Sequence, residues 1–161
     1  RVTVRELTPL EKAENFLTEI FASMHLDVKM EREDKEESHV FNLVGENLGI
    51  LIGKHGQTLD ALQYLTNLAA NRGLLEDKIR IILDVENYRS RREETLRRLA
   101  VRLADKVRRT NEKVMLEPMN RHERKIIHMA LQDNYRVMTY SAGEEPYRKV
   151  VIEPKHHNKE A

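Results

Sequence analysis

Gly53, Lys54, His55 and Gly56 form a run that could hold a phosphate. Two glycines three positions apart let a ligand reach the backbone without a side chain in the way, and both residues between them can carry positive charge. A G-x-x-G step is also an ordinary turn between helices. Its position favours the anion, because helical patterns flank it and its amides fall at the start of the second helix, where unpaired N–H groups and the helix dipole attract negative charge. A nucleotide-hydrolysing P-loop is excluded, since Leu48 occupies the place of its first glycine and His55 follows Lys54 where Ser or Thr is required. A second constellation is Arg124 with His128, four apart on one helical face. Arg offers a planar fork to phosphate and His can donate or stack. With Arg121, Lys125 and Gln132 they are expected to form one polar stripe, with Ile126, Ile127 and Ala130 turned the other way. The plainer account of such a stripe is a solvated helix face.

Other groupings carry no chemistry. His122-Glu123 opens an H-E-x-x-H zinc pattern that fails at Ile126, and the chain has no Cys for a thiolate site or nucleophile. The acidic run at 34–37 has neither a partner base nor a calcium-loop glycine, so it reads as a hairpin tip. No catalytic residue, metal or cofactor is expected, and His156-His157 belongs to a polar tail.

The elements that must position the two constellations are legible from periodicity. Thr8-Pro9-Leu10-Glu11 reads as a capping box, and apolar residues from Leu10 to Met24 carry a helix from it. Alternation through Leu26, Val28 and Met30, a charged turn and residues 40–44 make a hairpin. A short helix within 45–52 precedes the glycine loop. In the next helix Leu59, Leu62, Leu65, Leu68 and Ala69 are expected to be the buried stripe, ending by Gly73, and Ile79, Ile81, Leu83 and Val85 form a third strand. A long arginine-rich helix follows over about 87–111, with pairs expected at Glu93–Arg97, Glu94–Arg98 and Asp105–Arg109; Arg89, Arg91, Arg92, Arg102 and Arg108 are left as an auxiliary phosphate track. Then come a short strand (114–117), a helix capped by Asn120, and two strands (136–142, 147–153) joined through Gly143-Glu144-Glu145-Pro146. The class is α+β, with the orders α-β-β-α-α-β and α-β-α-β-β.

The chain has 161 residues, 40% of them hydrophobic, enough for one medium or two small cores. Neither an 18-residue apolar run nor a signal-peptide pattern is present. A start at Arg1 rather than Met is expected of a portion of a longer protein. Net charge is +1, yet residues 1–84 hold 10 basic and 15 acidic side chains, and residues 85–161 hold 18 and 12. The second part is the better polyanion holder. Eight aromatic residues and no Trp imply little base stacking and weak sequence selectivity.

The α-β-β-α-α-β order with Ile52-Gly53-Lys54-His55-Gly56-Gln57-Thr58-Leu59 between the middle helices resembles a type II KH domain, over about residues 8–85. That resemblance implies that Gly53, Lys54, His55 and Gly56 clamp the backbone of about four single-stranded nucleotides, with Ile50, Ile52 and Leu59 on the groove side. Residues 86–154, with Arg124 and His128, resemble the R-three-H domain, associated with single-stranded nucleic acid, and 155–161 form a polar tail. The two in succession, with the ending 143–152, are similar to the bacterial Jag family, also called KhpB or SpoIIIJ-associated proteins. Members carry a further N-terminal Jag-N domain and linker. Membership implies cytoplasmic binding of single-stranded RNA, or of single-stranded DNA, a link to cell-envelope elongation or sporulation, and pairing with a small KH-only protein or with a second copy. Arg121, Arg124, Lys125 and His128 are the contacts expected of the second domain. The rival from another class is an interaction scaffold whose acidic KH unit mainly mediates dimerisation.

Overall fold

The computed structural model describes residues 4–156; positions 1–3 and 157–161, which include Arg1, His157 and most of the polar tail, lie outside the described residues. The chain divides into two compact units, residues 1–89 and 90–161.

In the first unit, α1 (Pro9–Ser23) starts at the expected capping box: the Glu11 N–H donates to the Thr8 hydroxyl at 3.2 Å and the Thr8 N–H to the Glu11 carboxylate at 2.8 Å. These contacts satisfy two amides that a helix start otherwise leaves open. β1 (Lys29–Asp34) and β2 (His39–Val44) pair antiparallel, Lys29 opposite Val44. Leu26 and Val28, expected in the strand, precede it and pack on the core instead. After α2 (Gly49–Ile52), one turn of 3₁₀ helix over Lys54–Gly56 leads into α3 (Gln57–Ala70), and β3 (Ile81–Val85) returns parallel to β2. The sheet order is β1-β2-β3. Leu17 and Phe21 of α1, Phe41 and Leu43 of β2, Leu59 of α3 and Leu83 of β3 fill the core between helices and sheet.

The buried face of α3 departs from the expected one. Leu59, Leu62, Thr66 and Ala70 are buried, whereas Leu65 and Leu68 are 47% and 53% exposed. Spacing by three drifts around a helix: nine residues at about 100° each place Leu68 opposite Leu59. Between those faces runs a row of amides. Asn67 and Asn71 each accept from and donate to the backbone of β3 and its approach, at Ile81 and Ile79, all at 2.8 Å, and the Gln63 side chain accepts from the Leu83 N–H at 3.0 Å.

In the second unit, α4 (Tyr88–Thr110), whose first two residues belong to the first unit, buries Leu96, Ala100, Ala104 and Val107. β4 (Val114–Met115), shorter than the expected strand, pairs with β6 (Lys149–Pro154), which also pairs with β5 (Val137–Ala142), both antiparallel. The order is β4-β6-β5. α5 (Arg121–Leu131) is capped by the Asn120 side chain, which accepts from the Glu123 N–H at 2.9 Å. Ile127 and Leu131 meet Val137, Val150 and Ile152 of the sheet in the second core.

Most arginines of the supposed auxiliary track are engaged. Arg89 reaches Asp60 at 2.6 Å, Arg92 reaches Glu123 at 2.9 Å, and Arg108 lies 3.9 Å from Asp105, which was expected to meet Arg109. The Glu93–Arg97 and Glu94–Arg98 pairs form. A guanidinium reaches acids on other elements as readily as one four residues back, and sequence spacing registers only the latter.

Candidate nucleic-acid interface

The glycine loop is built by backbone conformation that side chains would prevent. Gly53 has φ 69° and ψ −165°, and a Cβ there would lie 2.1 Å from the Thr58 hydroxyl oxygen. Gly56 has φ 81°, and its Cβ would meet the Tyr88 ring at 2.9 Å. His55 between them is also left-handed, at φ 55°. The loop can hold this shape only with glycine at its two ends. Gly56 is the N-cap of the 14-residue α3 and brings no side-chain oxygen to it; the Gln57 N–H donates back to the Lys54 carbonyl, and the amides after it start the helix without a side-chain cap, beside exposed Lys54 and half-buried His55. That arrangement can take an anion at the backbone.

The groove residues separate. Ile50 is 59% exposed and Ile52 is half-buried against the core, but Leu59 is fully buried, so it supports α3 from beneath and is corrected from the groove to the core.

In the second unit the expected single stripe also divides. Arg121 and Lys125 are exposed, while Arg124 faces inward, its side chain only 7% exposed. The Arg124 guanidinium donates to the Met119 carbonyl at 2.7 Å and to the Glu145 carboxylate at 2.6 Å, tying the start of α5 to the β5–β6 turn. Ile126 is only partly buried, and Ile127 takes the core position. One turn later His128 lies between two hydroxyls, Nδ1 2.7 Å from Thr139 and Nε2 2.8 Å from Ser141. A hydroxyl can donate or accept, so either tautomer and the imidazolium can all be satisfied there. Burial and then the charges of Arg124 and Arg148 hold the His128 pKa below the ordinary 6.5.

Beside His128 opens a cleft of about 650 Å³, lined among others by Gln132, Thr139, Tyr140, Ser141, Arg148 and Lys155. Sequence reasoning missed this wall. Thr139 and Ser141 alternate onto one face of β5 with period two, a signal present in the sequence, whereas Arg148 and Lys155 come from segments that only folding brings to the helix. Among the described residues no three His, Asp or Glu side chains gather where they could hold a metal ion, and no helix is long and apolar enough to cross a membrane.

A glycine-clamped loop on an α-β-β-α-α-β unit, followed by an Arg/His helix on a three-stranded sheet, defines the class: a KH domain joined to an R-three-H domain. Residues 11–85 match the KhpA/KhpB KH-domain family and residues 94–154 the R-three-H domain family. The chain is 50% identical over 157 residues to RNA-binding protein KhpB of Clostridium symbiosum, covering 96% of this chain and 70% of that one. It is 40% identical over 154 residues to RNA-binding protein KhpB of Bacillus subtilis, covering 94% and 74%. The protein of that name from Streptococcus pneumoniae is 30% identical over 139 residues, 86% of this chain and 42% of its own. The chain belongs to the KhpB family.

Proposed function

We propose that the chain is a non-enzymatic binder of single-stranded RNA that uses both units. The observation carrying this reading is the glycine loop: backbone that cannot bear a Cβ at Gly53, set at a helix start that has no side-chain cap, beside a lysine and a histidine. Its relatives' name, RNA-binding protein KhpB, supports the choice of RNA. In the proposed mechanism Gly53, Lys54, His55 and Gly56 hold the sugar-phosphate backbone, with Ile50 and Ile52 offering apolar contact. Arg121, Lys125, Arg148 and Lys155 supply counterion-release energy around the His128 cleft, and Arg124 acts by holding the β5–β6 turn. Because the units are covalently joined, a strand held by one is presented to the other at raised local concentration.

Fluorescence-anisotropy titration with single-stranded RNA tests this. Lys54→Asp/His55→Asp and, separately, Arg124→Ala/His128→Ala are each expected to weaken binding, with single-stranded DNA run alongside. No binding by the unaltered chain at low salt sinks the reading.

A second reading concerns assembly. Tyr64, Leu65 and Leu68 are exposed together on the outer face of α3, in a unit whose residues 1–89 hold 11 basic and 16 acidic side chains. We infer that this face pairs with a second KH unit, of this chain or of a KH-only partner. Sedimentation of the chain and of Leu68→Asp tests pairing with a second copy: dissociation of the variant without loss of RNA affinity supports it, and a monomer in both ends it. A cytoplasmic location and a link to cell elongation or sporulation are proposed on the family resemblance alone.

A further inference from the structure

Sharing Asn134 with the His128 cleft is a second opening of about 500 Å³, lined chiefly by Ala104, Asp105 and Arg108 of α4 and by Asp133, Tyr135 and Arg136. That size falls within the roughly 300–1,000 Å³ typical of small-molecule sites. Tyr135 is 62% exposed. The Arg136 guanidinium lies 5.3 Å from its ring centroid and Nε donates to its hydroxyl at 3.1 Å, so one neighbour steadies a ring that stays largely exposed.

The charges decide what fits. Two guanidiniums and two carboxylates leave the cleft with no net charge, so a phosphate gains little there. A neutral planar group does better: it can lie on the exposed ring, while the carboxylates accept from its amino groups. Asn134 lines both this cleft and the His128 cleft, so a strand held at His128 needs only to cross that residue to enter.

We propose that this cleft is a nucleobase subsite, in which one unpaired base of a bound strand stacks on Tyr135. The proposal rests on the RNA-binding reading above and adds a base contact to a surface otherwise committed to backbone.

The test is anisotropy titration of the full chain with single-stranded RNA, beside Tyr135→Ala, Tyr135→Phe and Tyr135→Trp. Tyr135 is exposed, so all three should fold. Tyr135→Ala is expected to weaken binding roughly 5- to 100-fold, the scale of one lost base stack, with the salt slope unchanged because no phosphate contact is lost. Tyr135→Phe should restore affinity. The chain has no Trp, so Tyr135→Trp introduces a single indole whose fluorescence should be quenched as RNA saturates. Unchanged affinity in Tyr135→Ala with an unquenched indole, while the unaltered chain binds RNA, overturns the subsite and leaves the RNA-binding reading standing. Failure of the unaltered chain to bind removes both.

Discussion

The Arg124 guanidinium faces inward, and this sets what its loss should do. With its side chain 7% exposed and its partner Glu145 59% exposed, removing the arginine strands no buried carboxylate but leaves the Met119 carbonyl without its donor. Arg124→Ala is expected to cost about 2 kcal/mol, the scale of hydrogen bonds to a charged group, read by urea denaturation. Glu145→Gln should cost less, since one neutral acceptor remains. His128 gives a pH prediction with a definite sign. Its folded pKa lies below 6.5, so as pH falls the unfolded chain takes up the proton first; stability is full above about 6.5 and declines as pH drops toward the folded value. His128→Gln should flatten that decline. A phosphate at the cleft favours the imidazolium, so RNA affinity should rise as pH falls below 6.5 in the unaltered chain and not in His128→Gln. The Arg/His pair itself was legible from spacing. Its inward arginine was not, because Glu145 is 21 residues away in sequence.

Among the elements, α3 carries the most separate tasks. Its start meets the glycine loop, one face is core, one row of amides holds β3, and the outer face is exposed and apolar. Gly53→Ala forces a side chain into left-handed backbone and against Thr58, and is expected to cost about 2 kcal/mol together with loss of RNA binding. Lys54→Ala, on an exposed position of the same loop, should leave the thermal midpoint in place and lower affinity only; if both variants keep their stability, the loop is not held as described. Caps and strands of this element set were readable because they depend on neighbours in sequence: Thr8 with Glu11, Asn120 before α5, Ile81, Leu83 and Val85 at period two. The faces of α3 were not, since Leu65 and Leu68 look like core by composition and only the helix angle, with Thr66 and Ala70 turned inward, sends them out.

Across the whole molecule, charge is unevenly shared: residues 90–161 hold 17 basic and 11 acidic side chains, against 11 and 16 in residues 1–89. Salt sensitivity should therefore reside mostly in the second unit. Each phosphate contact on a single strand contributes about 0.7 to the slope of log affinity against log salt, so Arg121→Ala/Lys125→Ala should reduce it by about 1.4. Lys54→Ala should reduce it by no more than about 0.7 while weakening binding at every salt concentration. Equal slopes in all three proteins, measured from 50 to 300 mM salt by anisotropy, count against phosphate contact at these residues. The two-unit order and the opposite charges were visible in the sequence; the His128 wall was not, because Arg148 and Lys155 reach it only through the sheet.

The side chains Gln63, Asn67 and Asn71, with the Arg89 guanidinium on the Leu83 carbonyl, take up the outer backbone groups at Ile79, Ile81 and Leu83 along β3, the last strand of the first sheet, and its approach. A strand in that place normally presents a row of open donors and acceptors to any passing chain. Here the row is already filled from within, so amide protons at Ile79, Ile81 and Leu83 should exchange with deuterium slowly, as if the strand were central. The first unit therefore cannot grow by annealing a foreign strand along β3, and its safeguard against fibre-like stacking on that side is three carboxamides and one guanidinium, each bonded to the strand, rather than a border of loose charges or a proline break.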